Sequence, residues 1–430
     1  MKTLIQHGRL VDPANSLDGN YDVLIEGEKI AKVAPSISIE ETGQPDKVID
    51  AAGKVIMPGF IDLHVHLREP GFEYKETIET GCQAAARGGV TSICPMPNTN
   101  PVIDSPERIA DLLDRAKDAP VHILPIGAVT IGQNGKELAD IQGMKEAGAV
   151  ALSEDGKSVM DSLLFRKSMQ EAARVGLPMF SHCEDKPLVD GGVMNAGAKA
   201  EELGLPGITN AVEDVIVARD ILISKETGAQ LHLCHCSTAD SAILTKMAQE
   251  QGLKVSAEVC PHHFVMSDDE ITEDHGRFKM NPPLRSKADV QALKEALRDG
   301  IMEVISTDHA PHGAEEKNQS MLKAPFGIVG LETSFALSYT ELVEGGYLTL
   351  SQLVEKMSAN PAKVLNLAKG NLAEGMIADL VIADIETEYV IDSSTFASKG
   401  KNTPFDGKKV KGQIELTMVD GKIVYRSKAL

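Results

Sequence analysis

The chain has no tryptophan, and aromatic residues fill only 4% of its 430 positions. A core at this length must therefore be built mainly from aliphatic side chains and alanine. Basic residues are in deficit: 43 Lys and Arg face 63 Asp and Glu, a net charge of −20. Such a chain is poorly suited to sequence-independent nucleic-acid binding or to anionic membrane surfaces, which call for Lys and Arg. A small anionic substrate is still allowed, because salt screens surface charge beyond ~8 Å. No apolar run approaches the ~18–20 residues of a membrane span. The opening MKTLIQHGRLVDPANS has no signal-peptide apolar core. These absences point to a cytoplasmic protein with no nucleic-acid or membrane partner. Cysteine is also scarce. Cys82, Cys94, Cys183, Cys234, Cys236 and Cys260 sit inside apolar runs, as reduced thiols do, rather than forming a disulfide framework.

What is present is an ordinary globular composition, 42% apolar and 25% charged. Both ends read as short strands with turns. Asp22 to Val33 is a hairpin pattern around Gly27, Ala378 to Ile385 alternates, and Ile414 to Tyr425 folds back at Asp420-Gly421, a strong two-residue turn signal. The middle alternates apolar runs with helical stretches. Eight runs read as strands: Gly59–His66, Thr91–Met96, His122–Val129, Ala149–Ser153, Pro178–His182, Gln230–His235, Lys254–Cys260 and Glu303–Thr307. Helical segments between them include Thr77–Arg87, Asp161–Arg174, Ala211–Lys225, Ala239–Gln251 and Lys287–Arg298. Eight such units predict an α/β fold, a (β/α)8 TIM-type barrel over residues 56–365. Residues 1–55 and 366–430 are expected to form one small β-rich domain built from both termini. A doubly wound open sheet is the architectural alternative. Glu315–Ser320 is polar, follows the eighth strand, and reads as a mobile loop over the barrel mouth.

Chemistry-bearing residues gather at the C-terminal ends of these runs, where barrel active sites are built. The first run ends in Asp62-Leu63-His64-Val65-His66, with two histidines on one face of a strand, able to share a divalent metal. Later runs end in Ser153-Glu154-Asp155-Gly156, Ser181-His182-Cys183-Glu184-Asp185, His232-Leu233-Cys234-His235-Cys236 and Thr307-Asp308-His309-Ala310-Pro311-His312. So many imidazoles and carboxylates exceed the four ligands zinc usually takes. They suit a pair of metals ~3.5–4 Å apart sharing a water or hydroxide. Strand parity turns Cys234 and Cys236 away from whatever His235 binds, and gives His232 the wrong side. His7 and His275 are expected in solvent. His262 and His263 are expected to pack around the site rather than ligate. Lys157 shares parity with Asp155 and, if carboxylated, offers an alternative bridge.

The run GFIDLHVHLREPG (Gly59–Gly71) resembles the amidohydrolase superfamily and, within it, bacterial dihydroorotases of the longer, monofunctional class. The resemblance extends through MPNT, SHCED, KMNPPLR, TDHAPH, APFGIVGLET and NTPFDG in the expected order, over nearly the whole chain. It implies metal ligands His64, His66, Asp155, His182, His235 and Asp308. It also implies two Zn²⁺ per subunit, bridged by Asp155 and a hydroxide. The class usually reads Asp-Asp-Gly where this chain has Glu154-Asp155-Gly156, so Glu154 becomes the bridge if the register slips by one. The implied reaction is the reversible, zinc-dependent hydrolysis of L-dihydroorotate to N-carbamoyl-L-aspartate in de novo pyrimidine (UMP) biosynthesis. Asp308 would be the catalytic proton shuttle. Substrate contacts would come from His66, Arg68, Asn98, Asn281, His312, Phe326 and Gly327. Arg68 is suited to a carboxylate because its fork of donors matches two oxygens. A homodimer, and association with aspartate transcarbamoylase in some relatives, are further implications. Two rival readings are another cyclic amidohydrolase, allantoinase or hydantoinase, and a non-catalytic barrel acting as a scaffold.

Overall fold

The computed structural model describes residues 1–430, apart from the side chain of Glu41. One sheet gathers strands from both ends of the chain. Its order runs Lys422–Arg426, Gln413–Val419, Leu380–Asp384, Val55–Pro58, Lys2–Asp12, Leu17–Glu26 and Lys29–Ala34, with Lys47–Asp50 also paired to Lys2–Asp12. The join between the two ends is antiparallel, with Leu380 opposite Pro58 and Ala383 opposite Val55. Ile5, Leu10, Val23, Ile25, Ile56, Ile382, Leu416 and Met418 form its apolar core. At the last hairpin, Asp420 and Gly421 both have positive φ, 51° and 68°, as the tight turn demands.

Gly59 alone separates this sheet from the first barrel strand, Phe60–Val65. A Cβ at Gly59 would sit 2.3 Å from the Thr91 side chain, so the crossing needs a residue without one. The other barrel strands are Val90–Pro95, His122–Ile123 with Ile126–Ala128, Ala151–Ser153, Met179–Ser181, Leu231–Leu233, Val255–Val259 and Val304–Ile305, all parallel. The expected third strand is broken at Pro125, which has no N–H for the ladder. Its first half pairs with the second strand and its second half with the fourth. A parallel bridge between Val65 and His309 joins the eighth strand's end to the first.

The five predicted helices form, four of them at a side-chain cap. Thr77 accepts from the backbone N–H of Thr80 to start Ile78–Arg87. Asp161 starts Ser162–Val175, and Ser286 starts Lys287–Arg298. Gly176, at φ 73°, stops the second of these. All six cysteines are buried and free. Among the described residues, no helix is long and apolar enough to cross a membrane. The polar stretch after strand eight differs from expectation. Ala314–Lys317 is a helical turn, and the side chain that ends it is buried rather than solvated.

Candidate active site

The first barrel strand is buried along its length and delivers His64 and His66 at its end. Asp155 follows strand four, His182 strand five, His235 strand six and Asp308 strand eight. None of the six side chains belongs to a residue more than 6% exposed. Asp155 is the hub. Its Oδ1 lies 3.2 Å from His64 Nε2, 3.4 Å from His182 Nδ1 and 3.7 Å from His235 Nε2. Its Oδ2 lies 3.5 Å from His66 Nε2. Asp308 Oδ1 stands 3.0 Å from His66 Nε2 and 3.6 Å from His64 Nε2. Two overlapping ligand groups result, His64–His66–Asp308 and His64–Asp155–His235, with ligand atoms within 4.8 Å of one another in each.

Four atoms of these six residues, His64 Nε2, Asp155 Oδ1, His182 Nε2 and His235 Nδ1, are buried without a hydrogen-bond partner. His182 Nδ1 and His235 Nε2 face each other at 2.8 Å. Such atoms are costly to bury unless something satisfies them. A converging set of imidazole nitrogens and carboxylate oxygens has the donor chemistry of a divalent-cation site, and these residues fit one. The electrostatics agree. Burial opposes ionisation of Asp155, yet the charge of His64 and the close approach of the His182, His235 and His64 imidazoles hold it well below the usual carboxylate range. Asp308 is likewise drawn down to about 2, because the His66 hydrogen bond and the neighbouring imidazoles outweigh its burial.

The backbone that presents these groups is unusual. Arg68, His235 and Asp308 have φ of 62°, 36° and 47°, in the left-handed region that side-chain-bearing residues rarely occupy. That geometry corrects the parity argument for strand six. The strand ends at Leu233, so alternation does not extend to His235. Cys234 Sγ consequently lies with His64 and Glu258 within 4.8 Å rather than pointing away from the cluster.

Sequence reasoning passed over two carboxylates, one that holds a histidine by hydrogen bonds and one that faces another at ion-pair distance. Glu258, fully buried on strand seven, accepts from His64 Nδ1 at 3.0 Å, from the His235 backbone N–H at 3.2 Å and from His232 Nε2 at 3.1 Å. His232 is thereby tied to the site through Glu258, and its other nitrogen meets Ser256 Oγ at 2.8 Å. Glu184 stands 3.7 Å from His182 Nε2 and accepts from Asn281. A strand seven with no ligand of its own, yet carrying an acid in VSAEV, was the available signal for Glu258. His262 and His263 are buried nearby, His263 with Nε2 3.0 Å from the Pro282 carbonyl. His7 is exposed beside Asp50.

A cavity of about 170 Å³ opens over the cluster, lined by His66, Arg68, Asn98, Asn281, Phe326 and Gly327 among others. Asn98 bonds His66 Nδ1 at 3.0 Å and donates to Asp155 Oδ2 at 3.3 Å, so it steadies the cluster while lining the cavity. Glu154 is occupied elsewhere, accepting from the backbone N–H groups of Val129 and Thr130 at 3.1 Å each, and Lys157 is exposed. His312 Nε2 is 2.8 Å from the Phe326 carbonyl and so donates to it, while Nδ1 accepts from Lys75 Nζ at 3.1 Å. Arg68, 3.3 Å from that Nε2, also donates to the Pro311 carbonyl at 3.2 Å. The Gly327 N–H is committed to the Lys279 carbonyl at 3.0 Å. Arg285 of the NPPLR segment is buried away from the cavity, on Asn195, Ser237 and the Ile208 carbonyl.

The family model for dihydro-orotase-like proteins matches residues 53–241. The chain is 47% identical to a dihydroorotase of Syntrophus aciditrophicus over 99% of its length and 100% of the relative's. It is 48% identical to a dihydroorotase of Pelotomaculum thermopropionicum over the full length of both. Among solved structures, the L-hydantoinase (dihydropyrimidinase) of Arthrobacter aurescens superposes with a TM-score of 0.86 at 29% identity, covering 99% of this chain and 96% of that one. The dihydropyrimidinase of Brevibacillus agri gives 0.86 at 26% identity, covering 100% and 96%.

Proposed function

This chain belongs to the dihydroorotase family, and from that membership we propose how its residues carry the reaction. It is a metal-dependent cyclic-amide hydrolase of TIM-barrel fold, acting on dihydroorotate. The observation that carries the mechanistic reading is the hub: four imidazoles and two carboxylates from five strand ends converge on one point. His64, His66, Asp155, His182, His235 and Asp308 would hold two Zn²⁺, with Asp155 shared between them. When bound, such cations lower the pKa of water toward ~7 and polarise the carbonyl under attack. Asp308 takes the proton of the attacking water and passes it to the departing ring nitrogen. Glu258 holds His64 in orientation, Glu184 faces His182 at ion-pair distance, and Asn98 steadies His66 and Asp155.

Arg68, Asn98, Asn281 and His312 orient the substrate. Arg68 grips the exocyclic carboxylate, the group that neutral cyclic ureides lack. His312 contributes to this by fixing the Phe326–Gly327 turn and by receiving the Lys75 ammonium. Hydantoinases share the barrel at 0.86 in TM-score, so the fold alone does not choose the substrate, whereas the arginine at the mouth favours an anion. The same reading assigns residues 1–55 with 366–430 to one domain and 56–365 to the barrel. It also places the enzyme in the cytoplasm, in pyrimidine biosynthesis, as a homodimer able to associate with aspartate transcarbamoylase. The test combines metal analysis of the purified protein with turnover of dihydroorotate, allantoin and hydantoin. Two zinc ions per chain and a preference for dihydroorotate are expected. Faster turnover of either neutral ring would overturn the clamp assigned to Arg68.

A further inference from the structure

We propose that Lys317 is a positioning residue for substrate binding, its ammonium tying together the two loops that form the far wall of the cavity. This inference rests on the assignment of Asn281, Phe326 and Gly327 to that wall. Lys317 ends the helical turn Ala314–Lys317 and is 2% exposed. Its Nζ donates to the carbonyls of Lys279, Pro325 and Gly327 at 2.9, 2.9 and 2.7 Å. An ammonium has three N–H groups, and all three are used. Among the described residues no carboxylate lies within ion-pair distance of it. A buried charge without a carboxylate is an expensive arrangement unless its hydrogen bonds are fully made. Here they are made entirely by backbone oxygens that belong to two separate segments.

Those segments are the ones that face the cavity. Lys279 lies two residues before Asn281, and the Gly327 N–H also ends on the Lys279 carbonyl, at 3.0 Å. Lys279 reciprocates: its own Nζ donates to the Met321 carbonyl at 2.6 Å and lies 4.3 Å over the Phe326 ring. Gly327 itself has φ 133°, and a Cβ there would come within 2.7 Å of Ala310 and 3.1 Å of His312. The turn is therefore fitted tightly beneath His312 and has no slack of its own. Removing the ammonium leaves three carbonyls without their shared donor, and the turn is then held to the Asn281 loop only by the Gly327 N–H and by the Lys279 ammonium over the Phe326 ring. Lys317 contacts no member of the histidine and aspartate cluster, so its effect falls on binding substrate rather than on holding metal.

The experiment compares wild type with Lys317→Met by steady-state kinetics on dihydroorotate, metal content and thermal unfolding. Met keeps the length and removes the charge. KM is expected to rise about tenfold or more, with kcat within about threefold and metal content unchanged, the pattern of lost uniform binding. An unchanged KM, or a fall in kcat and metal content at unchanged KM, would overturn the proposal. Wild-type turnover of dihydroorotate in the same assay separates the two claims, since its absence would instead strike at the substrate assignment. If Lys317→Met yields no folded protein, Lys279→Met carries the test. It removes the ammonium that lies over Phe326 while leaving the Lys317 bonds in place, so it is read beside Lys317→Gln, which keeps part of the donor set: a KM-selective loss is expected in both, and an unchanged KM in Lys317→Gln overturns the proposal.

Discussion

Replacing Glu258 with Gln probes the support beneath both halves of the cluster. The carboxylate spends Oε1 on the His64 Nδ1–H and the His235 N–H, and Oε2 on His232. A glutamine keeps one acceptor oxygen, which can stay under His64 and His235. Its amide nitrogen then faces His232, which can exchange tautomers, giving a proton to Ser256 Oγ and accepting from the amide. The fold is therefore retained, and what is lost is charge assistance in the two bonds to the cluster. A hydrogen bond to a charged group is worth ~1.5–3 kcal/mol against ~0.5–1.5 for a neutral pair, so two bonds lose about 2 kcal/mol. At ~1.4 kcal/mol per decade, that is a roughly 30-fold loss of metal affinity. It lies within the ~10–100-fold range typical of groups that hold metal ligands. The assay is chelator competition, followed by activity after zinc is returned to saturation. Glu258→Gln should release metal at correspondingly lower chelator and regain most of its turnover in excess zinc. Metal retention within about twofold of wild type would refute the role given to Glu258.

Asp308→Ala should keep the fold and lose turnover by about three orders of magnitude or more, checked by kcat beside thermal unfolding, since near-normal activity would reject the proton shuttle. Arg68→Met should raise KM for dihydroorotate ~10–100-fold through loss of a charged hydrogen-bonding group, while slow turnover of neutral rings stays where it was. His312 is pushed down to about 2 by burial and by the charges of Arg68, Lys75 and Lys317, whereas an unfolded histidine titrates near ~6.5. Below about pH 6.5 the unfolded chain thus takes up a proton that the native state refuses, and stability falls progressively as pH drops toward 2. His312→Gln should flatten the decline in urea midpoint between pH 7 and 5, and an unaltered decline would discount this contribution.

The alternation of apolar runs and helical stretches located the barrel because most strands are short and buried and several are followed by a recognisable helix start, as at Thr77, Asp161 and Ser286. The six clustered side chains were legible because strand ends in such a barrel point to one mouth. Parity failed where the backbone left the strand. His235 and Asp308 take left-handed φ, and no spacing rule reports that. Glu258 escaped notice because one acid inside an apolar run looks the same whether it is paired or functional. Polarity misled at residues 315–320, where Lys317 is buried because three backbone carbonyls receive it, a long-range arrangement without local signature. His312 was legible as a residue of the mouth, but the Phe326 carbonyl that receives its Nε2–H is a partner fixed only by tertiary packing.

The antiparallel seam between Val55–Pro58 and Leu380–Asp384 joins segments separated by the whole barrel. A nascent polypeptide exposes the flank of Val55–Pro58 until Leu380–Asp384 has been made, and that flank is one glycine away from the strand bearing His64. Premature termination anywhere in the barrel would leave this ribbon unmated, an open template for association with other chains. Pairing of Leu380–Asp384 is thus the event that covers this flank, so chains cut anywhere before Leu380 should share one aggregation-prone ribbon, whatever the length of barrel they retain.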